Sequence, residues 1–285
     1  MTLVDQVSLI GNVLIGAGAV VSGGMLMSGT GSAFIWIFIS ILQKYYYLLL
    51  INVEYPYNLK IFLNIFRVGS LKIIPSLSGI LTYGSEKYHI VSPKKFEENE
   101  VDGLFFNNIG GTISSWVALI LMYIMAVTYL RYSKNKKSRM ALYFRKLRRN
   151  LRWSGFIRNH MASFFEVSLY SILQLKYIWP ELVFQKFSSV MAILVCLSNI
   201  LCLYIWSRII KRIVRPSYTQ ARRYLALIEN LKRRPTINSQ LHIILLAKRF
   251  IDAMLFVVLH DHPALQITLF IFLDLSYFLF ILILK

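Results

Sequence analysis

The sequence predicts an all-α fold, a polytopic bundle of transmembrane helices. Of the 285 residues, 56% are hydrophobic and only 16% are charged, and the mean hydropathy is +0.56. Soluble domains carry about 25% charged residues, and a soluble core of this size could not hide so many apolar side chains. Apolar runs that are long enough for a helix to cross a bilayer account for the surplus.

We expect about seven spans, which together form a single transmembrane domain over residues 1–285. Six or eight spans remain open, because the second and sixth runs contain charged residues. The protein is therefore expected to be a multi-pass integral membrane protein, with the membrane unspecified. The predicted spans cover residues 7–28, 33–52, 112–130, 160–179, 188–206, 241–259 and 264–284.

Two dense basic segments predict the orientation of these spans. Residues 131–158 contain eleven Lys and Arg and no acidic residue, and residues 208–234 contain nine against the single Glu229. Positively charged loops stay on the cytoplasmic side, so both are predicted inner loops. The connection 53–111 has six basic and six acidic residues and is the predicted outer loop. The spans then alternate with the N-terminus outside and the C-terminus inside.

The first basic loop also predicts an amphipathic helix, because Met140, Phe144, Leu147 and Leu151 recur at helical spacing. We expect its apolar face to rest on the bilayer and its cationic face to contact anionic headgroups. A regulatory lipid site or a calmodulin-type site is the alternative. Nucleic acid is not an expected partner, since both basic loops adjoin apolar spans. The cations expected to face anionic lipid are Arg145, Lys146, Arg148, Arg149, Arg152, Arg222 and Arg223.

Charged residues inside the spans are the candidates for function. Such residues are rare and often belong to an ion path, a proton relay or a paired structural lock. One hypothesis is a polar seam lined by Lys44, Asp252 and Asp274. The other is that these charges pair locally, since Lys248 and Asp252 lie one helical turn apart, or snorkel to the membrane surface. The intramembrane polar candidates are Lys44, Glu166, Lys248, Asp252 and Asp274.

The sequence predicts no enzyme, cofactor or metal. It contains no G-x-S-x-G, H-E-x-x-H, P-loop or dinucleotide-binding fingerprint. Cys196 and Cys202 lack metal-ligand spacing. The run His260-Asp261-His262 is too compressed to close a metal site by itself, and we expect it to be a solvated outer turn.

Several short segments carry a family resemblance. They are Ile35-Trp36-Ile37, Leu42-Gln43, Asn52-Val53-Glu54-Tyr55-Pro56, Phe105-Phe106-Asn107-Asn108-Ile109-Gly110-Gly111, and Phe156-Ile157-Arg158-Asn159 shortly before Glu166. Together they resemble the C-terminal membrane region of large protist surface proteins, which join cysteine-rich ectodomains to a polytopic helical segment. Those segments are compared with TRP-like and polycystin-like channel domains, so the resemblance implies cation transport or sensing.

Two functions therefore remain open at this point. The first is a TRP-like membrane region that takes part in cation transport or sensing, with Lys44, Asp252 and Asp274 as the residues to test. The second is a non-catalytic structural or anchoring subunit of a membrane complex. The expected partners are a bilayer with anionic headgroups and other membrane subunits or further copies of the same chain.

Overall fold

The computed structural model describes residues 32–69, 92–133, 137–176, 182–213 and 240–283. Within these ranges the chain is helical and has no strand, so the predicted all-α class is confirmed. The first predicted span, 7–28, lies outside the described residues. So do Arg222 and Arg223 of the second basic loop.

Ten α-helices lie within the described ranges. They are α1 (Ser32–Tyr47), α2 (Tyr57–Ile65), α3 (Lys94–Glu98), α4 (Phe105–Asn108), α5 (Gly110–Tyr132), α6 (Arg139–Asn150), α7 (Phe156–Leu175), α8 (Val183–Ile213), α9 (Leu241–Val258) and α10 (Pro263–Ile283). Short 3-10 helices at Leu48–Leu50 and Phe66–Gly69 follow α1 and α2. A π-helical turn, Leu151–Gly155, joins α6 to α7. The six longest of these runs, α1, α5, α7, α8, α9 and α10, lie at the predicted spans two to seven.

Three of the described helices, α5, α8 and α10, are long and apolar enough to cross a membrane. This supports a membrane location, whereas seven spans and the orientation of the termini stay predictions. The other helices depart from the transmembrane pattern for identifiable reasons. Helix α1 has only 16 residues, and α9 carries Lys248, Arg249 and Asp252 within 18 residues.

Helix α7 lies at the centre of the described bundle, where it packs against α1, α5, α8 and α9. Nearly all of its residues from Met161 to Gln174 are buried, on every side of the helix. Small serines at 163, 168 and 171 let neighbouring helices approach closely. Because α7 is enclosed by other helices, it can carry polar side chains that a lipid-facing helix could not.

The described part of the predicted outer loop packs into the helix bundle. Phe96, Leu104 and Phe105 from this segment are fully buried. The side chain of Gln174, at the end of α7, accepts a hydrogen bond from the Phe105 amide at 2.9 Å. Its amide nitrogen donates to Ser189 at 3.0 Å. The loop is therefore anchored to the helices by both apolar and polar contacts.

Helix α6 confirms the predicted amphipathic helix but places its apolar face differently. Phe144, Leu147 and Leu151 are buried against Leu119 and other residues of α5, while Met140 is exposed. The expectation that this stripe rests on the bilayer is therefore wrong for three of its four residues. The apolar face of α6 packs on the neighbouring apolar helix α5, so these three side chains are not left to contact a membrane surface.

Candidate functional site: a charge cluster between α1, α9 and α10

Four charged side chains from three helices meet in one cluster, which we call the charge cluster. Lys248 Nζ lies 2.7 Å from Asp252 Oδ2 and 2.8 Å from Asp274 Oδ1. Lys44 donates to both carboxylate oxygens of Asp274. Two cations and two anions make the cluster formally neutral.

Local sequence and chain reversal explain this assembly. Lys248 and Asp252 are four residues apart on α9, so they lie one above the other on the same helix face. A tight turn at residues 259–262 sends the chain back as α10, which packs on α9. The resulting hairpin brings Asp274 beside Lys248. Lys44 reaches the same carboxylate from α1, 230 positions earlier.

The charge cluster runs from the interior of the protein to its surface. The side chain of Asp252 is 3% exposed and that of Lys248 is 10% exposed, whereas Lys44 and Asp274 are 27% and 47% exposed. Asp274 lies on an otherwise apolar helix that could span a membrane. A carboxylate there is costly unless a cation, water or another protein surface contacts it.

A second polar group extends the site toward the central helix. Arg249 is buried and donates from Nη2 to Gln43 Oε1 at 3.3 Å and from Nη1 to the Met161 carbonyl at 3.3 Å. Gln43 in turn donates to the Ala162 carbonyl at 3.2 Å. These hydrogen bonds fix α1 and α9 to α7. Each of the two polar side chains is the sequence neighbour of a lysine in the charge cluster.

Glu166 belongs to a different site from the other predicted candidates. It lies on α7, is 1% exposed, and accepts a hydrogen bond from the Tyr47 hydroxyl at 3.0 Å. The same hydroxyl lies 2.7 Å from the hydroxyl of Tyr170. Sequence reasoning missed both tyrosines, because aromatic residues are too frequent in this chain to stand out. The separation in the chain, 119 residues for Tyr47 and Glu166, gave no signal either.

The structure therefore brings together Lys44, Lys248, Asp252 and Asp274 and leaves Glu166 apart. It also adds Arg249 and Gln43, which the predicted seam left out. Among the described residues no group of His, Cys, Asp or Glu side chains could hold a metal ion.

The turn between α9 and α10 is less solvated than expected. His260 is buried and its ring packs against Phe96 with the centroids 5.3 Å apart. Burial lowers the pKa of His260 below its ordinary value. Asp261 and His262 are exposed as predicted, and Asp261 lies 3.8 Å from Lys176 Nζ. The expectation of a solvated turn is thus wrong for His260 alone among the three.

A separate basic surface covers the outer side of α6 and the turn that follows it. Every cation predicted to face lipid in this part of the chain is exposed. The helical spacing that buries Phe144 and Leu147 against α5 leaves the intervening basic residues at the edge of that contact or on the outer side of α6. These exposed cations are Arg145, Lys146, Arg148, Arg149 and Arg152.

No family model, curated protein or solved structure matches the chain. The resemblance to the membrane region of protist surface proteins therefore stays a prediction. The geometry of the charge cluster and the surfaces around it therefore indicate what the protein does.

Proposed function

We propose that the protein is a multi-pass integral membrane protein that serves as a non-catalytic structural or anchoring subunit of a membrane complex. The observation that carries this proposal is the pairing within the charge cluster. Each lysine contacts an aspartate on another helix, so the cluster ties α1, α9 and α10 together. Paired charges inside a membrane act as a structural lock and leave no net charge to be solvated.

The outer surface of α10 supports contact with another protein chain. Its large apolar side chains are exposed, and Asp274 is half-exposed on the same helix. Lys44 and Lys248 already contact this carboxylate, but lipid tails cannot solvate the exposed part of the ion pair. A second copy of the chain or another membrane subunit can cover that exposed part. The exposed apolar residues of α10 include Ile271, Phe272, Leu275 and Phe278.

Cation transport is the second candidate, and one observation favours it. Asp274 and Lys44 lie at the exposed edge of the charge cluster, where water and cations can reach the carboxylate. If several chains surround that edge, the acids line a polar path through an apolar assembly. The resemblance to TRP-like regions supports the same function.

A paired measurement of assembly and ion flux separates the two candidates. The full chain is purified in mild detergent, its oligomeric state and bound partners are determined, and it is reconstituted in liposomes for cation flux. The test variant is Asp274→Asn. The matched control is Asp261→Asn, which removes an exposed carboxylate of the same kind outside the cluster.

A structural role predicts that wild-type liposomes show the same flux as protein-free liposomes, and that Asp274→Asn lowers the assembled fraction or the melting temperature. Asp261→Asn should change neither. A cation flux in wild type that Asp274→Asn abolishes, with assembly and melting temperature unchanged, would overturn the structural role and favour transport.

A further inference from the structure

A cleft of about 220 Å³ lies where the end of α5 meets α6. Its lining combines an apolar side chain, a hydroxyl group, a small residue and two guanidinium groups. The lining residues are Leu130, Ser133, Ala141, Arg145 and Arg148.

The cleft is held open by the packing of α6 on α5. Phe144 and Leu147 are buried against α5 and fix the distance between the two helices. One turn before Phe144, the residue of α6 that faces the cleft is Ala141. Its methyl group leaves space that a larger side chain would fill. The Ser138 hydroxyl accepts a hydrogen bond from the Ala141 amide at 3.1 Å and so starts α6 at this point.

The polar groups of the cleft suit a phosphate group. Arg145 and Arg148 are three residues apart, so both lie on the same side of α6 and line one cleft. A guanidinium group offers a planar pair of N–H donors that matches two phosphate oxygens, and the Ser133 side chain adds a polar group to the same cleft. The segment 131–158 contains no acidic residue, so the local potential favours an anion.

We propose that this cleft binds the phosphate group of a ligand, either an anionic lipid headgroup or a free phosphate. The position of the cleft is compatible with a lipid, because it lies at the end of a helix that could span the membrane. Apolar side chains on the same helix, among them Leu121, Ile124 and Met125, are exposed, as expected for a helix surrounded by lipid. The lipid form of the proposal rests on the proposed membrane location.

Binding to the purified full chain in detergent tests the proposal. The probes are a short-chain phosphatidic acid, a diacylglycerol with the same chains and no phosphate, and inorganic phosphate, with bound ligand measured by native mass spectrometry and by titration. The test variant is Arg145→Gln/Arg148→Gln. The matched control is Arg149→Gln/Arg152→Gln, which removes two exposed charges of the same basic surface outside the cleft.

We expect phosphatidic acid to bind the wild type, and the cleft variant to weaken binding at least about tenfold, since two forked charge-assisted contacts are lost. The control should weaken it less than about threefold, because exposed charges outside the cleft act only through the screened field. Arg145→Lys/Arg148→Lys keeps the charge but loses the fork, and it should also weaken binding. Any one of three results would overturn the proposal. These are an equal loss of affinity in the cleft and control variants, unchanged binding in the lysine variant, and binding of diacylglycerol equal to that of phosphatidic acid.

Competition between phosphatidic acid and inorganic phosphate identifies the source of the bound phosphate group. Phosphatidic acid that inorganic phosphate fails to displace identifies a lipid headgroup, whereas full displacement at equal concentration identifies a free phosphate, and both support the site. Extraction of membranes at alkaline pH separates this test from the proposed function. A chain that stays in the membrane but binds no probe overturns the phosphate site alone, and a chain that is released overturns the membrane location.

Discussion

Replacing Lys248 with Met isolates the energetic role of the charge cluster. The change preserves the length of the side chain but leaves Asp252, which is 3% exposed, without the cation 2.7 Å away. Removing one partner of a buried ion pair costs about 3–5 kcal/mol. Lys44 remains in the cluster, so we expect the lower end, about 3 kcal/mol. At about 2–4 °C per kcal/mol for chains of this size, the melting temperature should fall by about 6–12 °C.

The double variant Lys248→Met/Asp252→Asn shows whether the cost arises from the unpaired charge. It leaves Lys44 and Asp274 as a neutral pair, and replacing both partners of a buried ion pair is often nearly neutral. We expect the double variant to be more stable than Lys248→Met alone. The two changes should therefore be non-additive by about 1 kcal/mol or more.

Thermal unfolding in detergent, followed by tryptophan fluorescence, measures all of these variants. Lys211→Met is the matched control, because Lys211 is an exposed residue near the end of α8. It should leave the melting temperature within about 2 °C of wild type, since surface substitutions usually change stability by less than 0.5 kcal/mol. Additive effects, or a Lys248→Met protein as stable as the control, would refute the structural role of the pairing.

Three further predictions follow from other parts of the protein. Tyr47→Phe removes a donor from the buried carboxylate of Glu166 and should lower the free energy of unfolding by about 1–3 kcal/mol. Leu147→Ala opens a cavity between α6 and α5 and should cost about 2–5 kcal/mol, whereas Leu142→Ala, on the exposed side of α6, should cost almost nothing. Burial lowers the pKa of His260 in the folded state. The contribution of the neutral His260 to stability is therefore complete above about pH 6.5 and is lost as the pH falls toward the folded pKa. His260→Gln should remove that part of the pH dependence of the melting temperature.

Matched variants show which results contradict these three predictions. Tyr45→Phe alters an exposed tyrosine on the same helix, so an equal loss in both tyrosine variants would contradict a role for the Tyr47–Glu166 hydrogen bond. Leu147→Ala should detach α6 locally from α5, so we expect faster proteolysis of residues 137–155. Protection of this segment from protease equal to that of the rest of the chain would contradict local detachment. His262→Gln, at an exposed position, should leave the pH dependence unchanged.

The helical class and the helix positions were accessible from the sequence because hydrophobicity is a property of each segment. Residues 112–130 and 188–206 need no partner to identify them as apolar runs, and the observed helices α5 and α8 contain both. The central place of α7 was not accessible in this way. The burial of α7 depends on which helices surround it. A segment that contains Glu166 and several serines has no local feature that predicts those neighbours.

Only part of the charge cluster was predictable from the sequence. The pairing of Lys248 with Asp252 follows from their four-residue spacing on one helix. The contacts of Asp274 with Lys44 and Lys248 depend on how α10 folds back on α9 and how α1 packs beside them. Helix packing, which sequence periodicity does not specify, decided these contacts and also placed Arg249 beside Gln43.

The contact between Lys44 and Asp274 has a consequence for the synthesis of the chain. The lysine emerges from the ribosome 230 residues before the aspartate that neutralises it. On the proposed multi-pass arrangement, α1 must keep that amine hydrated or hold it near the membrane surface until α10 is made, because an isolated ammonium group is costly at the bilayer centre. We then expect the final packing of α1 to follow translation of the α9–α10 hairpin. A chain truncated before α10 lacks the carboxylate that neutralises Lys44.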